Sequence, residues 1–362
     1  MSARGKAGAL GIVLAAVLLG AAHPAAAQLQ WTSKDEKMTF KVGVLGQAQA
    51  ESADVAGTGE SADNLFIRRL RVLMGFTLSD KLSVFLDTDS PNLGKANTAG
   101  AKDAGDIFIQ DFAATYKFSQ GFMLDAGMLL LEQSYNHTQS AATLMTVDYG
   151  PYTFVESAPT TSRTGRDYGL RARGYLGGDH LEYRAGVYQG VRGVNASNNF
   201  RFTGRVMYSF FTPQVGLFYR GTSFGKTKTL SIGASVDTQE EYDSIGADFF
   251  FDQPLPGGNG FTLQGDYVQV DGDVFLAALP EQTNVLVESG FYIAAIKLMP
   301  FVQYAAQSFD RATLIDEERF TAGVGYIVNG HNNNLKLSFT KIEPERGESR
   351  DQINLQWQIF QF

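Results

Sequence analysis

INLQWQIFQF closes the chain at residues 353–362. Ile353, Leu355, Trp357 and Ile359 alternate with Asn354, Gln356 and Gln358, the two-residue period of a strand with one apolar and one polar face. Phe360 and Phe362 then fall on the other parity, so that the chain stops on a bare aromatic side chain, where chain ends are usually polar. The parity change predicts a β-bulge near the rim of a sheet. The segment is also long: an ordinary strand averages ~5–6 residues, whereas a tilted strand crossing a bilayer needs ~9–11.

The same pattern recurs upstream. Phe40, Val42 and Val44 alternate with Lys41 and Gly43; Leu70, Val72, Met74 and Phe76 with Arg69, Arg71 and Gly75; Phe112, Ala114 and Tyr116 with Asp111, Thr115 and Lys117. Phe320, Ala322 and Val324, and later Leu335, Leu337 and Phe339, repeat it. The apolar faces carry aromatics near segment ends, among them Tyr116, Phe118, Tyr208 and Phe210, as interfacial girdles do. The polar faces carry Arg, Asp and Gly, which suit a wet lumen better than a secreted sandwich. The connections alternate as well. LSDKL, SQG (119–121) and GGD (177–179) are tight turns, while 51–63, 91–105 and 132–165 are long links. Seventeen segments can be drawn, but a closed antiparallel barrel with both ends on one side needs an even number. The segment 215–224, VGLFYRGTSF, follows Pro213 and mixes its faces, with Leu217, Phe218 and Tyr219 in a row. Set aside as a periplasmic excursion, it leaves sixteen. The expected fold is all-β: a transmembrane antiparallel β-barrel of sixteen strands with long extracellular loops and short periplasmic turns.

Residues 1–27 have the form of a cleaved signal peptide: Arg4 and Lys6, an apolar run, then HPAAAQ. A short periplasmic segment (28–37) would lead into the barrel (38–362), with the loop 132–165 folded into it. Removing Arg4 and Lys6 takes the formal charge from −8 to −10, which excludes nucleic acid as a partner. An exported chain without cysteine draws its stability from elsewhere than disulfides.

From residue 218 onward the text resembles the phosphate-selective porin O and P family of Gram-negative outer membranes. The similar stretches are FYRGTSFGKTKTLSIGASVDTQ, IGADFFFDQPLPGGNGFTLQGDYV, ESGFYIAAIKLMPFVQYAAQSFD and AGVGYIVNGHNNNLKLSFTK. The resemblance implies a trimeric sixteen-stranded diffusion channel in the cell outer membrane, with small hydrophilic solutes or anions, membrane lipid and the outer-membrane assembly machinery as its partners and no cofactor. That machinery recognises a C-terminal aromatic across this class, which marks Phe360 and Phe362 as an assembly signal. Both rings are expected in lipid or at the seam with the first strand.

The inward parity collects Arg69, Arg71, Arg171, Arg173, Arg184, Arg201 and Arg205, and also Asp87, Asp89, Asp111 and Asp125. Two readings follow. In one, a basic wall faces an acidic wall across the pore and steers anions, since guanidinium binds phosphate oxygens bidentately. In the other, the arginines pair with neighbouring carboxylates and solvate the lumen. The loop 132–165 has Arg163 but no lysine, together with Glu132, Asp148 and Glu156, which weighs against phosphate specificity.

Other signals fail. GTSFGKT (221–227) has three residues between its glycines where a phosphate loop needs four. DGD (271–273) offers too few ligands for calcium. NHT and NAS are glycosylation acceptors only in a host that uses them. His137, His180 and His331 fall in a loop and in turns, with no mid-strand serine beside them, so an enzyme is not expected. The alternatives to a channel are a structural or adhesion barrel and a barrel lipid hydrolase.

Overall fold

The computed structural model describes residues 29–97, 99–193 and 198–362. The leader expected over 1–27 and the NAS triplet lie outside them. A short strand β1 (Leu29–Thr32) precedes sixteen barrel strands. These are β2 (Thr39–Val55), β3 (Glu60–Thr77), β4 (Leu82–Asp89), β5 (Phe108–Ser119), β6 (Phe122–Leu130), β7 (Arg166–Leu176), β8 (Leu181–Tyr188) and β9 (Arg201–Ser209). There follow β10 (Thr229–Gln239), β11 (Tyr242–Leu255), β12 (Asn259–Asp271), β13 (Gln282–Tyr292), β14 (Leu298–Phe309), β15 (Glu317–Asn329), β16 (Asn333–Pro344) and β17 (Arg350–Gln361). Each barrel strand pairs antiparallel with the next. β17 returns to β2 from Gln352↔Ala53 to Gln361↔Val44, so the sheet closes on itself and leaves no free edge in the barrel. The segment 215–224 contributes no strand. Tyr219 makes one isolated bridge, to Gln139.

The two faces of the wall differ in chemistry. Val72, Phe112, Leu170, Val206, Ile245, Val287, Phe320 and Ile353 point outward and are exposed on strands all round the barrel. An apolar belt of this extent is unfavourable in water and favourable in hydrocarbon, where closure also satisfies every ladder hydrogen bond. Rings gather at the rim: Tyr116–Phe118 at 4.7 Å, Phe118–Phe122 at 5.2 Å and Tyr208–Phe210 at 4.9 Å between centroids. The barrel therefore spans a membrane through its strands.

Three expectations need correction. Residues 51–63 are not a long link: β2 and β3 continue as a paired ladder to Val55↔Glu60 and turn tightly. β17 has no bulge at 359–360, since Ile359↔Gly46, Phe360↔Leu45 and Gln361↔Val44 follow in unbroken register. Phe360 consequently shares the inward parity of Gln356 and Gln358. It packs inside the barrel with Leu45, Leu73, Ala141 and Ala142, and Phe362 meets Phe85 at 5.8 Å. Neither ring belongs to the lipid face, while the seam with the first barrel strand holds for Phe360, which stands opposite Leu45 of β2.

Two segments fill the lumen. Residues 131–165, between β6 and β7, enter from the end with long connections and carry the single helical turn α1 (Tyr135–Thr138). Residues 210–228, between β9 and β10, enter from the end with short turns. They meet backbone to backbone: Tyr219 N donates to Thr138 O and Ser140 N to Tyr219 O, both at 3.0 Å. A Cβ on Gly221 would run into the backbone of Thr143, so this approach requires glycine.

Candidate functional site

All eleven charged residues singled out from parity are buried on the inner side of the wall. The two sets do not face each other across a pore. They lie on the same wall, where Arg71, Arg171 and Arg173 pair with Asp87, Asp89 and Asp125 and the other arginines take carboxylates outside the set. Arg71 donates to Asp89 at 2.8 Å and to Asp87 at 3.4 Å. Asp125 accepts from Arg171 at 2.7 Å and from Arg173 at 2.7 Å. Arg171 also pairs with Glu132 of the loop. Asp111 is bound by Arg166 at 3.1 Å, Asp248 by Arg205 at 2.6 Å, and Asp237 by Arg201 at 2.7 Å.

Register explains the geometry. Arg173↔Arg184 and Arg184↔Arg205 are direct cross-strand partners, so three guanidinium groups stand in one row. Like charges so placed are unfavourable. Each turns to a different carboxylate: Asp125, Glu182 and Asp248. The row also fastens the second inward segment. Arg184 donates to Leu217 O and Gly216 O, both at 3.0 Å, and Arg205 to the Tyr219 hydroxyl at 2.9 Å.

The loop is held at both ends. Ser134 caps α1, and Asp266 of β12 accepts from Ser134 Oγ at 2.6 Å and Asn136 N at 2.9 Å. On the opposite wall, Lys336 of β16 donates to Leu144 O at 2.6 Å and Thr146 O at 2.8 Å. Gln358 donates to Ala142 O at 2.8 Å. The strip 140–146 thus crosses the lumen. Two cavities of about 390 Å³ each flank it: one toward the long loops, lined by Arg68, Arg69, Asp148 and Tyr149, and one toward the short turns, lined by Arg220, Lys226 and His331.

Sequence parity missed Arg68. A bulge between Gln47↔Arg69 and Ala48↔Ile67 makes Arg68 the extra residue of β3, so consecutive arginines reach one side. Arg68 Nε and Arg69 Nη2 each take one oxygen of Asp148, at 2.7 and 2.5 Å. Burial pushes the Asp148 carboxyl up, but these two charges outweigh it and hold it below the usual carboxylate range. Lys336 and Glu288 were also missed, although each is a charge on the polar parity of an otherwise regular strand. The wall of β2 and β14–β17 is mostly neutral. Gln47 bonds Gln358 at 2.8 Å, Gln49 bonds Asn354 and Gln356 at 3.0 Å, and Thr321 bonds Thr340 at 2.8 Å. Among the described residues no histidine ring pairs with a serine hydroxyl: His137 bonds Glu156 at 3.1 Å and Leu131 O at 2.9 Å, His180 bonds Ser209 O, and His331 bonds Thr222 O.

This is the fold of a porin. Among solved structures, the anion-selective porin from Comamonas acidovorans superposes with a TM-score of 0.62 at 12% identity, over 90% of this chain and 100% of that one. Salmonella typhi OmpF, in complex with daunomycin, gives 0.58 at 14%, over 91% and 100%. Vibrio cholerae OmpT, an outer membrane protein in a trimer form, gives 0.53 at 10%, over 89% and 99%. At these identities the likeness is one of fold. Neither a scan against protein-family models nor a search of curated proteins finds a match, so the finer resemblance to the phosphate-selective porins has no family model behind it.

Proposed function

We propose that the chain is a porin of a Gram-negative outer membrane, a passive channel for small hydrophilic solutes that favours anions over cations. The observation that carries this reading is the closed barrel itself: an apolar belt outside, a charged and amide-lined wall inside, and a loop drawn across the lumen. It is in these terms a multi-pass protein that catalyses no reaction. The trimer form of the Vibrio cholerae structure supports a homotrimer. An assembly role for Phe360 and Phe362 rests on the terminal aromatic alone, because both rings face inward.

Anion preference draws on the cavity toward the long loops, whose lining holds Arg68, Arg69, Lys95 and Arg319 against Glu51 and Asp148. An excess of cations in a narrow, low-dielectric passage repels cations and attracts anions. Phosphate selectivity is the weaker form of the reading, since the seven wall arginines already hold carboxylates. The Comamonas acidovorans protein, described as anion-selective, is a structural parallel.

The test is planar-bilayer recording across a KCl gradient. Discrete conductance steps with a reversal potential displaced toward chloride are expected, and a displacement toward potassium would overturn the anion preference. A second reading, a non-conducting structural barrel, is favoured by the strip 140–146 across the lumen; absence of any step would establish it.

A further inference from the structure

The cavity toward the long loops is built differently from the rest of the interior. The pairs of Arg71, Arg171, Arg173, Arg184, Arg201 and Arg205 have side chains at most 9% exposed. The clamp on Asp148 is open: Arg68 is 24% and Asp148 34% exposed, and both line the cavity. The two guanidinium groups hold that carboxylate by one oxygen each, so together they satisfy both oxygens as the fork of a single arginine would. Facing them across the cavity are Gln303, Thr321, Ser338, Thr340 and Asn354, neutral groups that donate and accept hydrogen bonds. At about 390 Å³ the cavity lies at the small end of the ~300–1,000 Å³ typical of small-molecule sites.

We propose that this cavity binds a hydroxylated organic acid of about the size of a hexose, whose carboxylate takes the place of the Asp148 carboxylate on Arg68 and Arg69 while its hydroxyls bond the amide and hydroxyl wall. This rests on the channel reading and names its solute class. Asp148 is then an internal stand-in for the solute. It neutralises the two cations when no solute is bound and must be displaced on loading. Because Asp148 lies in the same loop as the strip 140–146, displacement acts directly on the segment that crosses the lumen. A small inorganic anion would satisfy the arginines and leave the opposite wall unused. A neutral sugar would do the reverse.

Titration calorimetry on the purified, detergent-folded barrel, with sodium gluconate as the probe, reads binding without needing conduction. Sodium acetate, inorganic phosphate and glucose are the comparison probes. Gluconate is expected to bind and each of the others at least about tenfold more weakly, the scale of one lost charge-assisted contact for glucose and of two lost hydroxyl contacts for acetate and phosphate. Asp148→Asn, which keeps the shape and removes the competing charge, is expected to tighten gluconate. Arg68→Gln is expected to weaken it about tenfold, a similar loss. Heat-modifiable migration on gels shows that each variant is folded. Equal binding of acetate, phosphate or glucose overturns the solute class, and an Asp148→Asn variant that binds gluconate no better overturns displacement. Recording with gluconate then separates the two levels: binding without conductance overturns the channel reading alone, and conductance without gluconate binding overturns the site alone.

Discussion

Arg171 stands directly opposite Asp125 in the β6–β7 register, and Glu132 closes the group from the loop. Removing the guanidinium takes the nearest cation from buried Glu132 and leaves Asp125 to Arg173 alone. Arg171→Met is therefore expected to cost about 3–5 kcal/mol, the scale for breaking a buried pair. Leu170, next door, is 57% exposed on the lipid face, and Leu170→Glu is expected to destabilise there by less than the ~2–4 kcal/mol of an arginine. Urea unfolding in liposomes measures both. Adding Glu132→Gln to Arg171→Met should recover part of the loss, whereas it should do nothing for Leu170→Glu; equal rescue would show that Arg171 does not act through the carboxylates. Asp148 has a different pH signature. Its folded value lies below the ordinary one, so its contribution is fully present above the ordinary carboxylate value of ~3.9 and is lost only as pH falls below that. The effect of Asp148→Asn on conductance is thus expected to be the same at every pH from 5 to 8, which recording both proteins in a buffered series checks. Parity alone placed Arg171 on the inner face. Which carboxylate lay opposite depended on register, and register is a property of two strands at once. Arg68 was invisible for the same reason: the bulge that turns it inward belongs to the β2–β3 pair.

The two inward segments behave as one element, joined at Tyr219 and Gly221 and anchored to the wall from both sides. Lys336 contributes two bonds to that anchorage, and Lys336→Met is expected to loosen the strip 140–146 and raise single-channel conductance while the barrel still folds. Unchanged conductance would mean that Gln358 and the remaining contacts suffice. His331, in the turn between β15 and β16, donates from Nε2 to Thr222 O at 2.8 Å and packs on Phe224 at 4.7 Å between ring centroids. Burial first, then the nearby positive charges of Lys336 and Lys226, push it down to about 4. Since the unfolded value is ~6.5, the contact contributes fully above that pH and is lost as pH falls through about 4. Hydrogen exchange at the amides of 222–228 should therefore gain on that of a His331→Gln variant as pH falls from 6.5 to 4; parallel profiles would exclude the histidine. Elements differ in how far they could be read. The lipid-crossing ladders announced themselves, because hydrocarbon forces one face of each to be apolar. Residues 51–63 did not, since β2 and β3 there rise beyond the apolar belt and keep pairing with no need for an apolar face. Residues 210–228 were recognisable as no strand, through Pro213 and mixed faces, but their inward course depends on distant residues: Arg184, Glu182, which accepts from the Tyr219 hydroxyl at 2.6 Å, and Asp252, which accepts from Ser223 N at 2.8 Å. Phe360 shows that an apolar residue need not face lipid, since Ala141 and Ala142 of the loop provide an apolar site inside the lumen.

The barrel as a whole derives its cohesion from closure, with every strand flanked by two others and the β17–β2 seam reinforced inside by the Gln47, Gln49, Asn354, Gln356 and Gln358 amides. Unboiled protein is expected to migrate differently from boiled protein on SDS gels, and identical migration would contradict a closed sheet. Gln47→Ala with Gln49→Ala should lower the temperature at which this shift is lost, by removing amide pairs each worth ~0.5–1.5 kcal/mol. The short strand β1 lends the closure another meaning. It pairs with β2 at Leu29↔Val42 through Thr32↔Thr39, on the same edge that β17 occupies down to Gln361↔Val44. Both run antiparallel to β2, and Gly43 lies between them, where a Cβ would run into the backbone of Gln361 and Phe362. In the ladder β17 and β1 are one strand interrupted by a nick. A ring with a nick has no intrinsic beginning. A circular permutant that joins residue 362 to residue 29 and opens the exposed turn at 56–59 traces the same ring with the break moved, and the barrel should tolerate being started there.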